Sequence, residues 1–418
     1  MSRLPAPLHR PGCRRPGDAD DPRRGVLITG GGTAGHTNPG IAVAQALVQL
    51  GLPPDRIHFV GGVRGNEGSL VVGAGFSIDL LPGRGIQRRL TAANLGSIVG
   101  LVRGLVKGLA IVAKRRPRAV LCLGGYAAFA ASAAAVLLRI PLVVTEQNAR
   151  ASAVNRLFGR FATRCAIPFP GTDLPGAVLT GNPIRPAIVD AVTGRDPVEA
   201  RRALLDRYDA ANPDAPSGVD ADDGRALVAV WAGSLGATRI NEAVAGLAER
   251  WADRPDVVLY HVVGRRDWPT FGGSRPDQSM PYLRVEYEDH MPDLLVAADV
   301  AVCRAGASTV TELAVAGLPA ILVPLPRAPR DHQRANTAEV ERAGGALVVD
   351  DGNVTPQHLD ELLTPLIADP GRRAAMAAAA RSVARPGAAA DVARLLLEAG
   401  GISPGDTGPA STDDRNEP

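Results

Sequence analysis

The chain has 418 residues, 45% of them apolar and 4% aromatic, with a formal net charge of +3. That length exceeds one ordinary hydrophobic core and implies two domains. So mild a charge excludes a bulk nucleic-acid binder, and no nucleic acid is expected as a partner.

Residues 1–22 are rich in Arg and Pro and hold no apolar segment of signal-peptide length, so they read as a disordered extension. No window in the chain reaches the roughly 18 uninterrupted apolar residues of a membrane span. The first predicted strand, Val26–Thr29, runs into Gly30-Gly31-Gly32-Thr33-Ala34-Gly35-His36, and a helix is predicted from about Pro39 to Leu50. A glycine-rich strand-to-helix turn lets backbone approach a ligand, and a helix N-terminus favours negative or electron-rich groups. His36 stands at the mouth of this turn, where an imidazole can face a substrate and act as a base. A helix-start residue touching backbone or phosphate is the plainer alternative.

Gly30, Gly32 and Gly35 carry the spacing of a dinucleotide site. The second predicted strand, Ile57–Val60, ends in Gly61-Gly62, without the carboxylate that would hold a ribose, which argues against a nicotinamide cofactor. From Leu95 to Arg118 a helix is predicted, with Leu95, Ile98, Val99, Val102, Leu105, Val106, Leu109 and Val112 at helical spacing. Arg103, Lys107 and Lys114 fall on a neighbouring stripe, and Arg84, Arg88 and Arg89 lie upstream. This pattern suits either a core-facing helix with a solvated basic face or a surface resting on an anionic membrane.

The predicted strands Ala119–Leu123 and Leu142–Thr145 lead into Gly124-Gly125-Tyr126 and Glu146-Gln147-Asn148. Polar clusters on adjacent strand ends project into one cleft, which favours Tyr126, Glu146 and Asn148 as substrate contacts over simple packing or helix capping. Residues 188–225 change character. A charged helical piece precedes Asn212-Pro213-Asp214-Ala215-Pro216-Ser217-Gly218 and an acidic run, the marks of a linker or insertion.

The pattern then restarts. Leu227–Trp231 leads into Gly233-Ser234-Leu235-Gly236-Ala237 and a helix from about Ile240, with further strands at Val257–Val263, Val300–Cys303 and Ala320–Val323. The alternation predicts an α/β protein of parallel sheets, its domains at 23–187 and 226–400 facing each other across a cleft. After Val300–Cys303, small residues with Ser308 and Thr309 form a cradle for a diphosphate where a helix begins. Glu312, one turn on, can accept both hydroxyls of a ribose diol, or simply be a favourable acid in a first helical turn. Cys13, Cys122, Cys165 and Cys303 match no zinc or redox spacing; Cys122 and Cys303 lie in apolar strand-like runs and are expected as buried reduced thiols, in a reducing cytoplasm. Residues 401–418 read as a disordered tail.

Taken in order, seven pieces resemble the MurG family of bacterial peptidoglycan glycosyltransferases. They are Gly31–His36, Gly124-Gly125-Tyr126, Glu146-Gln147-Asn148, Gly181-Asn182-Pro183-Ile184-Arg185, Gly233–Ala237, Cys303–Glu312, and His332-Gln333 with Asn336. The resemblance implies GT-B architecture: two Rossmann-like domains with parallel sheets facing a cleft, the last helix packed back on the first domain. It implies inverting, metal-independent transfer of N-acetylglucosamine from UDP-N-acetylglucosamine (UDP-GlcNAc) to lipid I, undecaprenyl-pyrophosphoryl-MurNAc-pentapeptide, forming lipid II. UDP-GlcNAc would be a substrate, with no cofactor and no metal. The partners implied are lipid I, the anionic cytoplasmic face of the cell membrane, where the protein would be peripheral, and other cell-wall and division proteins.

By position, the resemblance carries over as donor contacts Thr33, Ala34, Gly35, Asn148, Arg185, Ser234, Glu288, Gln333 and the run Ala307, Ser308, Thr309, Val310, Thr311 and Glu312. Glu288 would serve through its backbone, since the family usually has an apolar residue there. Tyr126, Glu146 and Asn148 would face the acceptor, and His36 is the candidate base. Ala34 stands for a common glycine, Leu235 for a frequent glutamine, and Ala127-Ala128-Phe129 lacks the glycine-proline continuation expected after the tyrosine. Asp18-Ala19-Asp20 and Asp220-Ala221-Asp222 spell the D-x-D of metal-dependent glycosyltransferases, but neither follows a buried strand, so no metal site is predicted. Another GT-B enzyme acting on UDP-GlcNAc, a 2-epimerase or a small-molecule glycosyltransferase, is the alternative reading.

Overall fold

Short apolar runs become the inner strands of two parallel sheets. The computed structural model describes residues 25–31, 34–63, 67–82, 93–233, 236–273 and 279–403, with the side chains at 34 and 93–101 left aside. The first sheet orders β3 (Ser77–Leu81), β2 (Ile57–Gly62), β1 (Val26–Thr29), β4 (Ala119–Cys122), β5 (Leu142–Thr145), β6 (Arg164–Ile167) and β7 (Ala177–Leu179), all parallel. The second orders β10 (Tyr282–Val285), β9 (Val257–Val262), β8 (Ala226–Trp231), β11 (Val300–Arg304), β12 (Ala320–Val323) and β13 (Ala346–Val348), again all parallel. Strand order reverses between β1 and β4 and between β8 and β11. In such sheets ligands bind at the carboxyl ends of the strands flanking the reversal.

The strands that hydropathy misses, β3, β6, β7, β10 and β13, lie at or next to the sheet edges. Exposed or half-exposed residues interrupt most of their apolar signal, as in β3 and β7. The first helix, α1 (Ala34–Gln49), starts earlier than Pro39 suggests. Pro39 withholds only the amide that would bond to Gly35, and one lost bond does not end a helix of 16 residues.

Residues 188–225 are not a plain linker. Two helices, α6 (Pro186–Gly194) and α7 (Pro197–Ala211), occupy their first part, α7 capped by Asp196 bonding the amides of Val198 and Glu199. Ala200, Leu204 and Leu205 bury against Leu294 and Leu295 of the helix Met291–Ala297. Arg195 and Arg207 both pair with the buried Asp293. A charged composition conceals an apolar stripe one helical turn apart, and that stripe makes the segment part of the second domain.

The last helix, Ala388–Gly400, returns to the first domain. Its Val392, Ala393, Leu396 and Leu397 join a core with Ile28, Leu47 and Val143. The chain therefore crosses between the domains twice. Cys122, Cys165 and Cys303 are free and buried, and burial raises all three thiols. No described helix is long and apolar enough to cross a membrane.

Candidate active site

The first domain builds one side of the site from the turns after β1 and β4. Helix α4 (Gly125–Leu137) opens at Gly125, whose φ is +80° and whose Cβ would fall 2.3 Å from the Gly31 carbonyl. Only glycine allows these two turns to pack backbone on backbone. His36 lies in the first turn of α1, half-buried. Burial lowers its pKa below 6.5, against an opposing pull from Glu146 and Glu67, so the neutral imidazole dominates at neutral pH. Glu67, the buried first residue of α2 (Glu67–Gly73), escapes the sequence reading, although an acid opening a helix soon after Gly61-Gly62 is a usable signal. Tyr126 donates to the Pro82 carbonyl at 3.4 Å, and burial raises its pKa.

The Glu146 carboxylate is committed to its own loop. It is 1% exposed, and its oxygens accept from the amides of Gln147, Asn148 and Ser152 and from the Asn148 and Asn155 side chains. A carboxylate so satisfied organises its own loop. Asn148 projects from that loop, half-buried.

The second domain builds the other side. After β8, Gly236 has φ +85° and its Cβ would fall 2.3 Å from the Val263 carbonyl, so the turn hugs the end of β9. Beside it Arg266 pairs with Asp267 and donates to the Gly236 carbonyl. After β11, the helix Ala307–Ala316 begins at Gly306. Ser308 and Thr309 are half-exposed at its start. Ala307, Val310 and Thr311 instead turn inward, Thr311 donating to the Ala307 carbonyl, so only their backbone can meet a ligand. A cleft of about 480 Å³ is lined by Gly233, Gly236, Thr238, Arg266, Arg304, Gly306, Thr309, Leu325 and Gln333. Gln333 is held there by accepting the Leu325 amide at 2.9 Å. Arg266 and Arg304 are cationic lining residues, paired with Asp267 and with Asp351; the sequence reading lacks Arg266 and gives Arg304, within the Cys303–Glu312 piece, no role of its own.

Arg185 and Glu312 meet across the junction at 3.9 Å. Burial pushes the Glu312 carboxyl up to about 7, and Arg185 holds it back from rising further. Glu288 differs from a side-chain donor contact. Its carboxylate accepts from the Tyr260 hydroxyl and the His290 amide, both at 2.6 Å, and leaves only backbone for a ligand. Gly35 is exposed and Ala34 opens α1, while Thr33 and Ser234 lie outside the described residues. Asp220 and Asp222 sit exposed in one turn, Asp220 accepting the Asp222 amide; Asp18 and Asp20 lie outside the described residues.

The long helix α3 (Ala93–Arg115) differs from its predicted apolar stripe. Gly104, Gly108 and Val112 are buried, whereas Val102 and Val106 are 55% and 63% exposed. Glycines permit the close approach to α4, which rotates the two valines outward. Arg103, Lys107 and Lys114 are exposed, with Lys107 donating to the Leu80 carbonyl, and Arg84, Arg88 and Arg89 lie outside the described residues.

Two domains of parallel sheet, with glycine turns where the strand order reverses, are the architecture of a GT-B glycosyltransferase. Residues 26–167 match the glycosyltransferase family 28 N-terminal domain, and residues 227–392 its C-terminal domain. The chain belongs to the MurG family of these enzymes. A Nocardioides relative described as a UDP-N-acetylglucosamine–N-acetylmuramyl-(pentapeptide) pyrophosphoryl-undecaprenol N-acetylglucosamine transferase is 39% identical over 90% of this chain and 98% of its own. A Streptomyces coelicolor protein of the same description is 36% identical over 86% of this chain and 94% of its own. The crystal structure of Acinetobacter baumannii MurG superimposes with a TM-score of 0.69 at 25% identity, covering 90% of this chain and 99% of that one. A Neisseria meningitidis UDP-GlcNAc 2-epimerase bound to UDP-GlcNAc shares the fold, with a TM-score of 0.60 at 16% identity over 89% of this chain and 99% of that one.

Proposed function

We propose that the protein transfers N-acetylglucosamine from UDP-GlcNAc to lipid I, forming lipid II in peptidoglycan synthesis. What supports this reading is the chemistry each domain carries, a neutral His36 on the first and the Gly306–Thr309 cradle on the second, with Arg185 and Glu312 meeting at the junction between them. The acceptor is a sugar hydroxyl, a poor nucleophile until a base takes its proton. His36 takes that proton as the oxygen attacks the anomeric carbon. The bond to the UDP oxygen breaks in the same step, so an α-linked donor yields a β-linked product. Charge developing on the diphosphate meets the helix N-terminus at Gly306 and the guanidinium groups of Arg266 and Arg304. Glu312 takes the ribose hydroxyls, and no metal is required.

Lipid I is anchored in the bilayer, so the enzyme must reach it from the cytoplasmic surface. Exposed Val102 and Val106 beside Arg103 and Lys107 on α3 support peripheral attachment to an anionic leaflet. Other cell-wall and division proteins are further partners proposed on the family resemblance alone. The test is one assay: purified protein, labelled UDP-GlcNAc and lipid I, scored for lipid-linked disaccharide and UDP, with and without excess EDTA. UDP release without lipid-linked disaccharide would overturn the acceptor. Abolition by EDTA with rescue by magnesium would overturn the metal-free step.

A further inference from the structure

Polar groups of the second domain reach the loop that carries Asn148. Asn336, in the helix His332–Ala343, is fully buried. Its Oδ1 accepts the Ala149 amide at 2.8 Å, while its Nδ2 donates to Asn148 Oδ1 at 3.3 Å and to the Ala305 carbonyl at 3.2 Å. Only a carboxamide accepts on one terminal atom and donates twice from the other. Upstream, Arg330 donates to the Ala151 carbonyl at 2.7 Å and to Asp173 at 3.0 Å. Arg330 and Asp331 hold left-handed backbone, φ 55° and 53°, a conformation that persists in non-glycine residues only where the surroundings impose it.

Between these two contacts sits Gln333, which lines the cleft. Ala305, bonded to Asn336, directly precedes the Gly306–Thr309 cradle. The cradle and residues 148–151 therefore meet on the Asn336 carboxamide, with Gln333 one turn upstream on the same helix.

We propose that Asn336 is a positioning residue that clasps the 148–151 loop against the nucleotide-sugar cradle, so that donor occupancy sets the geometry of the acceptor side. The proposal rests on the transferase reading above. It needs no contact between Asn336 and either substrate.

The experiment compares wild type with Asn336→Ala and Arg330→Gln. Calorimetry gives UDP-GlcNAc affinity, steady-state kinetics at saturating donor give kcat and KM for lipid I, and hydrogen exchange follows the amides of residues 148–151 with and without UDP-GlcNAc. For Asn336→Ala, donor affinity should stay within about threefold while kcat/KM for lipid I falls about tenfold or more. Donor binding should slow exchange in the loop of the wild type and not in that of the variant. Arg330→Gln, at the more exposed contact, should show the same split with a smaller loss, and it decides the matter if Asn336→Ala does not fold. Equal losses of donor affinity and acceptor kcat/KM, unchanged kcat/KM, or loop protection by donor that survives in the variants would each overturn the clasp. So would a wild-type loop indifferent to UDP-GlcNAc. Exchange is read without turnover, so a wild type that responds to donor but makes no lipid-linked disaccharide would refute the transferase reading and leave the clasp standing.

Discussion

On the proposed ribose role, Glu312 should make donor binding depend on pH, with the direction set by its burial. Burial raises its pKa from the ordinary 4.5 to about 7, with Arg185 at 3.9 Å only partly compensating. Near pH 7, then, about half of the unliganded molecules carry the carboxylic acid. A ribose diol bonds best to the carboxylate, at about 1.5–3 kcal/mol for a hydrogen bond to a charged group. Between pH 8 and pH 6 the ionised fraction falls about tenfold, so UDP-GlcNAc affinity should fall by up to about tenfold, or 1.4 kcal/mol. UDP-GlcNAc suits this test better than UDP, because its diphosphate is a diester with no proton to lose in that range. Calorimetry at several pH values on wild type and Glu312→Gln reads the effect. The variant should bind about ten- to a hundredfold more weakly at pH 8 and show a flat profile. Stability runs the opposite way. The folded pKa lies above the unfolded one, so this group's contribution is fully present below pH 4.5 and lost as pH rises through about 7. Glu312→Gln should therefore gain thermal stability over wild type at pH 8 and little at pH 4, with about 3 kcal/mol as the ceiling. A flat wild-type affinity profile, or a Glu312→Gln profile with the wild-type slope, would refute the assignment of the carboxylate to the ribose.

His36→Ala should leave UDP-GlcNAc affinity nearly intact and lower turnover by about a hundredfold or more; turnover within a few fold of wild type would remove it as the base. Because burial holds His36 below its ordinary 6.5, kcat at saturating donor should keep its value as pH falls through 6.5 and drop only lower, which a pH–rate series checks. Replacing Arg103, Lys107 and Lys114 together by Ser should weaken binding to anionic vesicles by about 1 kcal/mol per residue near the surface, with the difference shrinking at high salt. Turnover on vesicle-embedded lipid I should then fall more than on a short-chain soluble analogue, and equal losses would return α3 to a purely structural role. Leu396→Ala in the returning helix should cost about 2–5 kcal/mol in denaturant unfolding. A loss under about 1 kcal/mol would mean that this helix adds little to the first domain's core.

What could be read from sequence was local. Val26–Thr29 and Leu142–Thr145 announce themselves because inner parallel strands are apolar on both faces, and the turns after β1, β4 and β8 because backbone packed on backbone demands glycine at Gly125 and Gly236. The motif order from Gly31 to Asn336 sufficed to indicate the family. Tertiary structure decided what depends on partners and packing. Glu146 and Thr311 have the residue types of ligand contacts, yet their side chains are occupied by partners within their own loop or helix. Val102 and Val106 fit an apolar stripe, yet the approach of α3 to α4 through Gly104 and Gly108 turns them to solvent. Asn336 reads as one more polar residue on a helix until the fold brings Asn148, Ala149 and Ala305 to its carboxamide. Periodicity records which face of an element is apolar; the side chain's charge state and its partners are set by burial and proximity, which only the packed domains define.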